Sequence, residues 1–289
     1  MKLSKVVLLS FLMLAVSQIP ATFAARNITV KGSDTIVTMG QRWAEEYMKL
    51  HPEVSIQVTG GGSGTGIAAL INGTTDLADA SRSIKEKEID KAKQAGYYPQ
   101  EFKVAIDSLA FVVNSENPIK ELSIKQVMGI YTGRINNWSE VGGKSAAIVR
   151  YSRESSSGTY QFVKENILKN ADYAADCQTL PGTSAVTNAI SKDPNGIGYG
   201  GVGYFINQSA LKVLSIKKDD KSAAISPLKA DGSVDYNAAW SKTYPVWRYL
   251  YMYAGTRPKG EIKDYLNWIM SPEGQKIVEK EGFVPLPQK

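Results

Sequence analysis

The sequence predicts an α/β fold of two lobes, each a mixed sheet flanked by helices, joined by two crossover strands. Three observations carry this. The first hundred residues alternate short β-type runs with helical runs, the order of a parallel sheet with helices on its faces. Two long extended runs, one mid-chain and one near the end, fit a chain that leaves one lobe, builds a second and returns. With 289 residues and 43% hydrophobic content, the chain is long enough for two cores of ordinary size.

The elements follow in order. Lys2 and Lys5 precede an apolar run over residues 6–16, then Gln18, Pro20 and the small-residue end "ATFA". That is the pattern of a secretory signal peptide, residues 1–24, cleaved near Ala24, and it is too short for a membrane span. "NITVKG" is a strand, and "VTMGQRWAEEYMKLH" is a helix with Met39, Trp43, Tyr47 and Leu50 on one face. His51-Pro52 stops that helix. "VSIQVTG" is a strand, "TGIAALING" a helix, and "DLADAS" a strand into a mixed-charge helix. "FKVAIDSLAFVVN" is a long β run with a break at Asp107-Ser108. "SIKQVMGIYTG" is helical, "AIVRYS" a strand, "SSGTYQFVKENIL" a loop and helix, and "GIGYGGVGYF" a glycine-rich strand and turn. "YPVWRYLYMYAG" is the second long strand, and "EIKDYLNWIM" and "EGQKIVEKEG" are closing helices. The expected division is residues 25–108 plus 248–289 as lobe I and 109–247 as lobe II, with a ligand cleft between them.

Charge and cysteine usage narrow the function. The net charge is +6; residues 1–24 hold two lysines and no acids, so it falls to +4 over the remaining 265 residues. Basic and acidic residues interleave, as in "IKEKEIDKAKQ", which marks a solvated face rather than a nucleic-acid surface. Cys177 is the one cysteine, so there is no disulfide within the chain and no cysteine after the leader to carry a lipid anchor. A freely soluble periplasmic protein is expected.

Three loops share one design. Residues 31–37 (KGSDTIV), 60–67 (GGGSGTGI) and 154–162 (ESSSGTYQF) each set glycine and hydroxyl residues before a helical run. A helix start carries unpaired N–H donors and the positive end of the helix dipole, a natural seat for an oxyanion. Any one such loop is commonly no more than an N-cap. Three of them, with Arg82 and Arg153 close by, point to one anion surrounded by helix ends. A guanidinium adds a planar fork that stays charged at any relevant pH.

Catalytic patterns are missing. His51 is the only histidine and precedes a proline at a helix end, so no Ser-His-acid triad forms around Ser63 or Ser157. "GGSGT" lacks the second glycine of a nucleophile elbow. "GGKS" at residues 142–145 resembles a phosphate-loop tail, but Trp138 stands where the leading glycine belongs. One histidine and one cysteine leave little for a transition-metal site. No enzyme, cofactor or metal is expected.

"GSDTI", "GGGSGTGIAAL", "DLADASRSI", "IDSLAFVVNSENP", "IYTGRINNWSEVGG", "SRESSSGTYQF", "GIGYGGVGY", "YPVWRYLYMY" and "GFVPL" fall in the order seen in PstS-type phosphate-binding proteins. The chain resembles that family over nearly all of its length after the leader. The resemblance implies a type II periplasmic-binding-protein fold that closes on inorganic phosphate and delivers it to the membrane permease of an ABC importer, without nucleic acid, as a monomer. By position it implies phosphate contacts from Ser33, Asp34 and Thr35, from Ser63, Gly64 and Thr65, from Ser81 and Arg82, and from Arg153, Ser157, Gly158 and Thr159. In well-known members the third loop supplies an aspartate that accepts the proton of hydrogen phosphate. Here Ser81 stands at that place, with Asp79 two residues earlier; Asp34 is expected to take the role, with Asp79 and Glu154 in reserve. The alternatives are the same fold holding sulfate, molybdate or a phosphonate, a secreted phosphatase, and a surface adhesion protein.

Overall fold

The computed structural model describes residues 26–287; the expected leader lies outside them. The first part follows the predicted order. β1 (Arg26–Gly32) pairs in parallel with β2 (Val54–Thr59) and with β3 (Leu77–Ala80). α1 (Val37–Leu50) crosses between β1 and β2 and buries Met39, Trp43 and Tyr47. The Trp43 indole donates to the Gly274 carbonyl at 2.8 Å. Leu50, one turn beyond Tyr47, is 62% exposed, past the reach of this core.

α2 (Ser63–Ile71) links β2 to β3, and Gly66 explains how closely it sits. A Cβ there would fall 2.1 Å from the Lys31 carbonyl oxygen, so the helix backbone rests directly on β1. α3 (Glu86–Gln94) is the mixed-charge helix, buried only at Ala92.

β4 (Gln100–Asn114) runs unbroken for 15 residues, so the break expected at Asp107-Ser108 is absent. What changes there is the partner. Residues up to Ser108 pair antiparallel with β12 (Trp247–Ala254), and Leu109 onward with β8 (Gly196–Gly201). Between these lie β5 (Glu121–Ser123), α4 (Ile124–Tyr131), β6 (Val149–Arg153) and α5 (Gly158–Phe162), which runs on into a π turn. β7 (Gln178–Leu180) and α6 (Gly182–Ser191) precede β8. β9 (Leu211–Val213), β10 (Ser215–Lys217), β11 (Ala224–Ile225) and α7 (Tyr236–Trp240) follow it. α8 (Gly260–Ile269) and α9 (Pro272–Lys280) return to the first part and pack on α1.

Among the described residues one nine-stranded mixed sheet results, in the order β2-β1-β3-β12-β4-β8-β6-β7, with β9 also on β4. A small sheet, β11-β10-β5, stands apart. The apolar interior nevertheless divides. Ile28, Trp43, Val104, Ala105, Leu250 and Phe283 belong to one cluster. Leu109, Phe111, Trp138, Tyr199, Tyr244 and Val246 belong to another. The chain therefore passes between cores after Ala105 and again after Val246, and Asp107 and Arg248 stand at the crossings.

One polar group is buried inside the first core. The Asp79 carboxyl lies under α1, its Oδ2 3.4 Å from where a Gly40 Cβ would stand, and its Oδ1 has no hydrogen-bond partner. Burial pushes its pKa up to about 7. The folded state therefore favours the protonated form. Its contribution is fully present below the ordinary carboxylate range, near 3.8, and is lost as the pH rises through about 7. Thermal melts of the protein should show stability falling between pH 4 and pH 7 to 8, by about a few kcal/mol from this group. Asp79→Asn should flatten that fall and raise the melting temperature at pH 8.

Candidate functional site

β1 and β3 run with β4 while β6 runs against it, so their carboxyl ends face one another across the middle of the sheet, where β4 changes partner, and the loops leaving those ends meet there. The carboxyl ends of strands are where α/β sheets bind ligands, because helix starts and backbone donors collect there. β1 delivers Ser33, Asp34 and Thr35; β3 delivers Ser81 and Arg82; β6 delivers Arg153 and the turn into α5. The start of α2 completes the cluster. Ser63 sits within the first turn of α2 rather than before it, since Gly62 is the N-cap, with φ of 94°.

The hydroxyls are in mutual contact. Thr35 Oγ1 lies 2.9 Å from Thr159 Oγ1, Ser63 Oγ 3.3 Å from Ser81 Oγ, and Ser81 Oγ 3.5 Å from Thr159 Oγ1. Four of them also accept from a group that can only donate. Ser33 Oγ accepts from the Thr35 N–H, and Ser63 Oγ from the Ser81 N–H. Ser157 Oγ accepts from the N–H groups of Thr159 and Tyr160, a true N-cap for α5. Thr159 Oγ1 accepts from Arg248 Nη2 at 2.9 Å. A hydroxyl has one proton to give. An accepted bond takes up one lone pair and keeps the proton from pointing that way, so each of these hydroxyls has its proton free to give either to a neighbouring hydroxyl or to a group outside the cluster.

Three buried arginines surround these hydroxyls, each on its own carboxylate. Arg153 Nη2 meets Asp34 Oδ2 at 2.7 Å and Nη1 meets Thr183 Oγ1 at 2.9 Å. Arg82 grips Glu88 with both Nη atoms, at 2.8 and 2.7 Å. Arg248 Nε and Nη2 reach Asp107 Oδ2 at 2.9 and 2.8 Å. The Nε of Arg82 and the Nε of Arg153 are buried with no hydrogen-bond partner, two oriented donors in a place where an unmet polar group is costly. Burial lowers the Arg248 guanidinium from its ordinary value, and the charge of Asp107 opposes that.

The cluster spans both cores. Gly64 N–H donates to the Ser156 carbonyl at 2.9 Å, and the Tyr204 hydroxyl donates to the Asp34 carbonyl at 2.7 Å. Asp34 is the busiest member, since its Oδ1 also accepts from the Gly61 N–H at 2.8 Å.

Most residues singled out in the sequence are brought together here. Ser33, Asp34, Thr35, Ser63, Gly64, Ser81, Arg82, Arg153, Ser157, Gly158 and Thr159 all lie in or against the cluster. Thr65 does not join it, because its hydroxyl donates back to the Gly61 carbonyl at 2.8 Å. Of the reserve acceptors, Asp79 is under α1 and Glu154 is exposed. His51 stacks on Tyr47 with ring centroids 4.3 Å apart, at the far end of α1. Among the described residues no group of three His, Cys, Asp or Glu side chains could hold a metal ion.

Sequence reasoning missed Arg248, Asp107 and Tyr204. The signal was there for the first two. Arg248 is the one charge in the strand WRYLYMYA and Asp107 interrupts the apolar run that begins at Val104, and a buried charge calls for a partner.

The model of the PBP superfamily domain matches residues 18–273. The phosphate-binding protein PstS of Pseudomonas aeruginosa is 32% identical, covering 93% of this chain and 86% of its own length. This chain belongs to the PstS-type phosphate-binding proteins. The PstS of Staphylococcus saprophyticus is 31% identical over 89% of this chain and 80% of its own. Two solved structures share the fold. A phosphate ABC transporter substrate-binding protein with bound phosphate from Clostridium perfringens has a TM-score of 0.77 at 27% identity, over 91% of this chain and all of that one. An ABC-type phosphate transport receptor from Vibrio cholerae has a TM-score of 0.70 at 26% identity, over 90% of this chain and all of that one. The fold read from the sequence, two mixed α/β halves of the type II binding-protein class, is the fold of this PstS-type chain.

Gly158 tests the closeness of the cluster. A Cβ there would stand 2.4 Å from Ser63 Oγ and 2.7 Å from Ser81 Oγ. Gly158→Ala should therefore cost about 1–3 kcal/mol through overpacking, read as a lower urea midpoint with an unchanged m-value.

Proposed function

We propose that this chain is an extracytoplasmic receptor that binds inorganic phosphate between two lobes and delivers it to the membrane permease of an ABC importer. It is a binding protein of the PstS type and not an enzyme. The observation that carries the ligand reading is the cluster of hydroxyls whose oxygens already accept from the protein, beside two unpartnered guanidinium N–H groups. A dehydrated tetrahedral oxyanion needs many donors at once, and this set has them converging from four loops.

In this reading, residues 25–108 with 248–289 form lobe I and residues 109–247 form lobe II, a division supported by two apolar clusters whose buried residues each fall in one lobe, while a third, with Ile106, Ala110, Val202 and Val284, lies across the crossing. Ser33, Thr35, Ser63, Ser81, Ser157 and Thr159 donate hydroxyl protons, Arg82 and Arg153 donate from Nε, and Gly64 and Gly158 let the backbone approach. Asp34 is the proton acceptor. Both of its oxygens already accept one hydrogen bond, and each keeps a second lone pair. Facing sulfate, which has no proton, that lone pair meets another, and selectivity comes from the repulsion. Export by a leader cleaved near Ala24, into the periplasm and without a lipid anchor, belongs to the same proposal. Among the described residues no helix is long and apolar enough to cross a membrane.

Purified protein, denatured and assayed, should release about one phosphate per chain when isolated under conditions that keep tight ligands. Competition calorimetry should show phosphate preferred over sulfate and molybdate. Tighter sulfate or molybdate binding would replace phosphate as the cargo; turnover of an aryl phosphate lost in Ser157→Ala would replace the receptor reading with an enzyme.

Two substitutions divide the site. Asp34→Asn should shrink the phosphate-to-sulfate affinity ratio by about tenfold or more, the scale of one unmet charged contact. Ser157→Ala should weaken phosphate by about tenfold while Thr65→Val changes it by less than about twofold, all read by calorimetry at fixed pH and salt.

A further inference from the structure

Arg248 and Asp107 face each other across the β4–β12 pairing, at the two points where the chain changes cores. Asp107 is fully buried and Arg248 is 4% exposed. Three features aim the guanidinium. Asp107 Oδ2 accepts from both Nε and Nη2, the Ser81 carbonyl accepts from Nη1 at 2.9 Å, and the Phe162 ring lies 5.4 Å from the guanidinium carbon. Asp107 is itself held, its Oδ1 accepting from the Val202 N–H at 3.3 Å. What remains of the fork, on Nη2, is spent on Thr159 Oγ1.

A guanidinium has no lone pair to offer. At the Arg248 contact Thr159 therefore accepts, and its own proton points away from Arg248, toward the side where Thr35 Oγ1, Ser81 Oγ and the anion site lie. Without Arg248 the Thr159 proton can also turn to the side Arg248 occupied, which presents a lone pair to the anion, and an acceptor facing an oxyanion is repulsive. We infer that Arg248, oriented by Asp107, is a positioning residue of the anion site: it sets Thr159 as a donor. The inference rests on the phosphate reading and deepens it, since no contact between Arg248 and the anion is required.

A buried ion pair at two crossing strands could equally be structural, so the test separates the two. Asp107→Leu with Arg248→Met removes both charges together and avoids leaving one unpaired inside the protein. Phosphate dissociation constants are measured for the unmodified chain, for this pair replacement, for Thr159→Val, and for the three changes combined. The pair replacement should weaken phosphate by about tenfold or more when Thr159 is present and by no more than about twofold in the Thr159→Val background. Arg248→Lys, which keeps the charge but cannot span Asp107, Ser81 and Thr159 at once, should show the same dependence on Thr159 and serves if the pair replacement folds poorly. Equal losses with and without the Thr159 hydroxyl would overturn the inference and leave phosphate binding intact. An unmodified chain with no affinity for phosphate would overturn both.

Discussion

Burying a guanidinium is tolerable only when a carboxylate goes in with it, and three such pairs set the structure around the cluster. Removing either member leaves an unpaired charge in the interior, which costs about 3–5 kcal/mol. Arg82 is held by Glu88, which also caps α3 by accepting from the Lys85 N–H at 2.8 Å. Arg153 is held by Asp34, and Arg248 by Asp107. Because the charges cancel in pairs, an anion arriving at this place meets little surplus positive charge. It meets oriented N–H and O–H groups whose directions were set when the carboxylates were buried. On the proposed phosphate reading, the surface offered to the anion is thus made of dipoles rather than of net charge.

The same pairs decide what holds the two halves together. Asp34 and Arg153 come from different cores, 119 residues apart in sequence, and the Gly64–Ser156 and Tyr204–Asp34 backbone contacts run beside them. At the rim, Lys85 reaches Glu165 at 2.7 Å, with side chains 27% and 41% exposed. An ion pair that wet contributes little, since water and salt screen it and two long side chains lose freedom. The halves are therefore held chiefly by the buried contacts, made by the same groups that are proposed to face the anion.

Much of this was legible in the sequence because it is local. Helix α1 follows from Met39, Trp43 and Tyr47 at helical spacing, and the loops declare themselves by glycine and hydroxyl residues ahead of helices. Long-range pairing is not local. β4 looks broken at Asp107-Ser108 because two polar residues interrupt an apolar run, yet the strand continues and only its partner changes. The reason for the polar residue is Arg248, 141 positions on, which no nearby residue announces. α6 was overlooked for a different reason. Thr183, Val186 and Ile190 carry its buried face, but β-branched and hydroxyl residues have weak helix preference, and tertiary packing supplies what propensity does not. Thr65 shows the reverse error, a residue in a functional-looking motif whose hydroxyl serves its own helix turn.

Why the site uses so many serines and threonines follows from what a hydroxyl can be made to do. Free in water it donates and accepts without preference, and so discriminates poorly between an anion and a cation. Once its oxygen accepts a backbone N–H or a guanidinium N–H, one of its two lone pairs is taken and its proton cannot point that way, so the side chain is biased toward donating on its other side. Ser33, Ser63, Ser157 and Thr159 are each in that condition. Four of the five groups that polarise them are backbone amides placed by strand ends and helix starts, so the fold itself supplies the direction. The fifth is Arg248, and it reaches Thr159 only because two strands distant in sequence lie side by side at the crossing. The chemistry of the site is in this sense a property of the sheet order: lose the β4–β12 pairing and one hydroxyl in the cluster loses its sense of direction.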